Sequence, residues 1–150
     1  MKKSILIYLS LITAILLHGC SITSFERTSS EEKQKIINKA QNSKLIILDI
    51  YHNDCSSCKL IEPVIKKLER DYSQNNDVAF LKYDLSNPFT ILDSKKIAKE
   101  LGLEKIYKSQ RYSGVVLTID TNKREALDTL INEYNISKYN DVIAKRLKDL

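Results

Sequence analysis

Two cysteines spaced C-x-x-C, Cys55 and Cys58 in "ILDIYHNDCSSCKLIEP", are the residues of this chain best suited to do chemistry. Such a pair supports a redox couple, half of a zinc site, or a plain structural bridge. A redox couple needs one thiol at a helix N-terminus, where unpaired N–H groups and positive potential stabilise a thiolate. A second thiol three residues on lies one helical turn away on the same face. The first can then attack a substrate disulfide and the second can resolve the mixed disulfide. A structural zinc site needs four ligands. Here it would draw on Cys55, Cys58 and His52, with Asp54 or Asp49 supplying oxygen. A structural bridge asks nothing of its surroundings.

The flanking elements decide how the pair is held. Residues 44–51, "KLIILDIY", are nearly all aliphatic and read as a buried strand with one acid, Asp49, inside it. After the pair, Leu60, Ile61, Val64, Ile65 and Leu68 recur at helical spacing. Pro63 lies inside that helix and should kink it. The dithiol therefore sits at a strand-to-helix junction, with Cys55 at the first helical positions. Lys59 adds positive charge nearby, and Asp54 works against a thiolate.

The remaining pattern supplies a scaffold. "SSEEKQKIINKAQNS" reads as a helix with Ser29 and Glu32 in a capping box. Residues 77–85 read as a second strand, "SNPF" as a turn, and "SKKIAKELGL" as a helix closed by Gly102. "YSGVVLTID" is a third strand, residues 121–123 a hairpin turn, and "REALDTLI" its paired strand. An amphipathic helix starting near Ser137 ends the chain. Strand, helix and strand in succession imply a right-handed parallel crossover. Lys66, Lys67, Lys95 and Lys96 are most simply solvated helix faces, and Lys82, on the second strand, is within possible reach of Asp49.

The N-terminal residues follow a different plan. Lys2 and Lys3 precede an apolar run from Ile5 to Leu17, and Gly19 and Cys20 end it. That is the three-part layout of an export signal. "LHGC" resembles the lipobox of bacterial lipoproteins, which implies that Cys20 receives lipid and becomes the mature N-terminus. Residues 1–19 are then a signal peptide, 20–30 a polar tether and 31–150 the folded domain. Lipidation occupies the third cysteine and leaves the C-x-x-C pair in a compartment where disulfides persist.

Composition sets further bounds. A chain of 150 residues, 43% hydrophobic and 29% charged, suits one globular domain. The net charge of +5 falls to +3 once Lys2 and Lys3 are removed. No basic run with interleaved aromatics suggests a nucleic-acid partner.

The arrangement resembles the thioredoxin family. In that family an Asp lies six residues before the first cysteine, as Asp49 does here. A Pro lies eight residues after the first cysteine, as Pro63 does, and "CKLIEP" fits the family's C-K-x-I-x-P. The resemblance covers roughly residues 43–150. It implies an α/β fold with a central mixed four- to five-stranded sheet flanked by helices. It further implies a Cys55–Cys58 redox disulfide with Cys55 as nucleophile, Cys58 as resolving thiol and Asp49 as proton acceptor, with no cofactor and no metal. The chain departs from the family in three places: Asp54 replaces a Trp, Ser56 and Ser57 separate the cysteines, and Ser113 stands where a cis-Pro is usual. Ser113 and Gly114 would then line the substrate groove. A member with these features is expected at a potential of about −270 to −120 mV.

The expected function is a membrane-anchored thiol–disulfide oxidoreductase outside the cytoplasm, a reductase or shuffling enzyme. Its partners would be cysteine-containing exported proteins, the membrane through lipid on Cys20, and an electron donor across that membrane. Its place would be the cell envelope: the outer membrane where the host has two membranes, otherwise the outer face of the cell membrane. The alternative is a non-catalytic module that holds a thiophilic metal or a partner through the dithiol. If Cys20 carries the anchor, Cys20→Ala should move the protein from the membrane to the soluble fraction, read by fractionation and immunoblotting. Unchanged membrane retention would count against lipidation.

Overall fold

The computed structural model describes residues 30–150. The expected signal segment, Cys20, most of the expected tether and the Ser29 half of the expected capping box lie outside the described residues. The element order is α1 (Ser30–Asn42), β1 (Leu45–Tyr51), α2 (Ser56–Asp71), β2 (Val78–Asp84), α3 (Pro88–Glu100), α4 (Glu104–Ser109), β3 (Val115–Asp120), β4 (Glu125–Ile131) and α5 (Ile136–Asp149). One four-stranded mixed sheet has the order β2-β1-β3-β4. β1 runs parallel to β2 and antiparallel to β3, and β3 runs antiparallel to β4.

β1 is central, which explains its nearly continuous aliphatic sequence. Successive side chains go to opposite faces. Ile46, Leu48 and Ile50 join a core beneath α1, α3 and α4 that includes Ala40, Tyr83, Ala98, Leu103 and Leu117. Leu45 and Ile47 join the opposite core with Ile61, Ile65 and Leu68 of α2 and Tyr139 and Ile143 of α5. The sheet is thus a middle layer with helices on both faces, as the resemblance implies.

Two boundaries differ from the sequence reading. "SNPF" is the start of a helix: the Asn87 side chain accepts from the Phe89 and Thr90 N–H groups, at 2.9 and 3.1 Å. Pro88 takes the first helical position, where its missing N–H costs nothing. A short helix, α4, also follows Gly102, which has a φ of 68°. Six residues are too few for a periodic signal to stand out. α2 continues through Pro63 for two further turns.

The hairpin is built by side chains. Asp120 Oδ1 accepts from the N–H groups of Asn122 and Lys123, and a register shift falls between Thr118 and Ile119. Asp128 accepts from Thr118 at 2.6 Å and pairs with Arg146 of α5 at 2.7 Å. That contact ties the edge strand to the last helix.

Leu68 is fully buried between α2 and the sheet. Leu68→Ala should cost about 3 kcal/mol, seen in urea titration as a lower midpoint with an unchanged slope.

Candidate active site

The chain turns sharply between β1 and α2. The Cys55 N–H donates to His52 O at 3.1 Å, and Asp54 N–H to His52 Nδ1 at 3.1 Å. Cys55 is the N-cap of α2 rather than a residue of its first turn, with φ −86° and ψ 113°. Its Sγ accepts from the Cys58 N–H at 3.1 Å. A sulfur thus occupies the position in which a serine or aspartate oxygen normally satisfies a free N–H. Negative charge at that sulfur would be stabilised by the helix end.

Cys55 and Cys58 form a disulfide, with Cα atoms 5.3 Å apart. Their environments are unequal. Cys55 is half-buried, while Cys58 is completely buried and its Sγ lies 3.8 Å from Ile50 O. A partner can therefore approach Cys55 and not Cys58.

Gly114 closes one side of the dithiol. Its N–H donates to Ile50 O at 2.9 Å, and its carbonyl accepts from Asn132 N–H at 3.0 Å. Its φ is 77°, and a Cβ placed there would meet Asn132 Oδ1 at 3.0 Å, Ser57 Cβ at 3.2 Å and Cys55 Sγ at 3.5 Å. Glycine suits this position both for its left-handed backbone and for the closeness of Asn132 and Ser57. Ser113 precedes it, and no described peptide bond is cis. The segment expected to border the substrate groove is therefore beside Cys55.

Asp49 lies on the same face of β1 as Leu45 and Ile47, beneath α2. It is 3% exposed, and Oδ1 has no hydrogen-bond partner among the described residues. Burial raises its pKa from 3.8 to about 7. Lys82 opposes that rise, while Glu62, Glu69 and Asp84 add to it. The parallel register places Lys82 directly opposite Asp49. The Lys82 ammonium sits 3.4 Å from the centre of the Tyr51 ring and 3.7 Å from Glu62 Oε1. Asp49 therefore keeps the electrostatics of a buried acid that can hold or release a proton near neutrality.

The residues named for zinc are not assembled: among the described residues no three His, Cys, Asp or Glu side chains form a group able to hold a metal. His52 instead accepts the Asp54 N–H. Sequence reasoning missed Asn132, Glu62 and Ser57. Asn132 has a φ of 50°, and asparagine's tolerance of the left-handed region was the available clue. Glu62 and Ser57 carry no local signal, because their parts arise from contacts with other elements.

A mixed sheet between helices, with a dithiol capping the first crossover helix above a buried acid, defines a dithiol protein of thioredoxin fold. Residues 24–133 match the family model described as Thioredoxin, and this chain belongs to the thioredoxin family. Thioredoxin F1, chloroplastic, of Arabidopsis thaliana is 34% identical over 108 residues, which are 72% of this chain and 49% of that protein. A thioredoxin of Coprinus comatus is 36% identical over 61 residues, 40% of this chain and 57% of that one. The chain spans about half the length of the plant relatives it matches. Among solved structures, the germline-specific thioredoxin Deadhead of Drosophila melanogaster is 23% identical, with a TM-score of 0.49 over 77% of this chain and 91% of that one.

The Asp49 pKa sets a pH dependence. The folded protein keeps a proton up to about pH 7 that the unfolded chain releases near 3.8. Stability should therefore fall as pH rises through that window, by ~4 kcal/mol from this group. Asp49→Asn should be nearly neutral at pH 4 and stabilising by about 4 kcal/mol at pH 8. Urea denaturation of both proteins at the two pH values checks this; equal differences at both would show that Asp49 is not the titrating group.

Proposed function

We propose that this protein is a thiol–disulfide oxidoreductase, anchored by lipid on Cys20 outside the cytoplasm, that reduces or shuffles disulfides of exported proteins. The observation that carries the reading is the asymmetry of the dithiol. Cys55 is approachable and caps a helix, whereas Cys58 is sealed behind it. Those are the requirements of an attacking and a resolving thiol.

The reductive cycle balances as follows. The Cys55 thiolate attacks one sulfur of a substrate disulfide, forming a mixed disulfide and releasing one substrate thiolate, which takes up a proton. The Cys58 thiol gives its proton to Asp49 and attacks Cys55 Sγ. The Cys55–Cys58 bond forms and the second substrate sulfur leaves as a thiolate, which takes up a proton from solvent. Two electrons have moved to the substrate, and an external dithiol donor must restore the pair. A pKa of about 7 lets Asp49 accept that proton at neutral pH and release it afterwards. The Gly114 backbone lies beside the dithiol with no side chain of its own, so it adds no bulk next to Cys55 Sγ.

The export and anchoring part of the proposal rests on the pattern of residues 1–20. Cys55, half-buried at the cap of α2 while Cys58 is sealed behind it, favours turnover over metal holding.

Insulin reduction with dithiothreitol as donor tests the reading. The parent protein should accelerate precipitation of the insulin B chain, and Cys55→Ser should reduce the rate to background. Cys58→Ser should accumulate a mixed disulfide visible on a non-reducing gel. An inactive parent that takes up one equivalent of Cu(I) would replace the enzyme with the metal-holding module.

A further inference from the structure

We infer that the outer face of α3 is a docking surface for an anionic membrane, and that it lays the domain down on the bilayer to which Cys20 is anchored. The inference rests on the lipid-anchored reading above. Phe89 and Leu92 project from this helix 60% and 54% exposed, and Lys95, Lys96 and Lys99 are exposed as well. At 100° per residue these five positions fall within about 120° of one helix face. The opposite face, with Ser94 and Ala98, is buried against the sheet. A folded domain has no packing reason to leave two large apolar side chains outward on one face beside three lysines. The combination suits a surface with an apolar interior and negative headgroups.

The path of the chain points to the same occupant. Ser30, the first described residue, shares a groove with Lys33, Asp93, Lys96 and Ile97, so the tether joins the domain next to α3. Ten residue steps separate Cys20 from Ser30, a span of at most ~36 Å. α3 has 13 residues and is ~20 Å long. The whole stripe is thus within reach of the surface that would hold the lipid. The acids on this side stand on the flank toward α1, where Asp93 is paired with Lys33 and Glu100 closes the helix. The apolar end of the stripe adjoins the loop before the dithiol, where Asn53 N–H donates to Ser86 Oγ at 2.9 Å. Docking would therefore keep Cys55 close to the bilayer and to cysteines exposed near it.

The full lipidated chain, purified from membranes and reconstituted in vesicles, tests this. The protein has no tryptophan, so Phe89→Trp supplies a single fluorescent reporter. Leu92→Trp is a second reporter should the first variant misfold. On vesicles rich in phosphatidylglycerol the indole emission should shift to the blue and be quenched by brominated lipids. On phosphatidylcholine vesicles, or with Lys95→Gln, Lys96→Gln and Lys99→Gln combined, the ratio of docked to free domain should fall roughly a hundredfold. Protein that floats with the vesicles while its indole stays solvent-like and unquenched would overturn docking and leave the anchor intact. A blue shift that grows with protein density without lipid quenching would assign the face to a second copy of the chain instead. Failure to float would overturn the anchor reading and this inference with it.

Discussion

The N-terminus of α2 is closed by a sulfur. A helix start must satisfy its free N–H groups, and here Cys55 Sγ does so by accepting from the Cys58 N–H. This one contact places both cysteines. It holds the first at the helix end, where negative charge is favoured, and sets the second one turn on, inside the protein. The rest of the fold can be understood as what keeps that junction in place. β1 ends just before it, flanked by β2 and β3, and buries both of its faces. Ile61, Ile65 and Leu68 then hold α2 down on the sheet.

The same packing creates the buried acid. Asp49 is on the face of β1 that α2 covers, so securing the helix necessarily encloses the carboxyl. Burial raises its pKa toward neutrality, and Lys82, opposite it on β2, limits the rise. Lys82 is itself held against the Tyr51 ring and near Glu62. The acid is tuned by charges contributed from two other elements, β2 and α2. Stability and proton handling are therefore opposed at this position: the enclosure that brings the pKa near 7 also costs folding free energy as pH rises from about 4 to 7.

The neighbourhood of the dithiol and the outer surface of the domain are connected through α3. Its inner face completes the core under β2, its N-cap loop meets the loop preceding the dithiol, and its outer face carries Phe89, Leu92 and the lysines. A helix that packs on one side leaves the other free to be selected for something else. Here that free side and Ser30, the first described residue, are neighbours.

Much of this was legible in the residues alone. Aliphatic continuity located β1, helical spacing located α2, and the C-x-x-C was legible as a dithiol at their junction, because each depends on neighbours within a few positions along the chain. The four strands, the last two as a hairpin, were readable for the same reason. The short α4 was not, since six residues carry too little periodicity, and "SNPF" concealed a helix start behind residues that also make turns. Only the tertiary structure decided that Gly114 and Asn132 border Cys55, that Lys82 faces Asp49, and that Cys58 is sealed while Cys55 is open. Those relations join residues tens of positions apart, and strand order, register and packing create them. A local pattern can specify which elements form; the distances between their side chains exist only once the elements have packed.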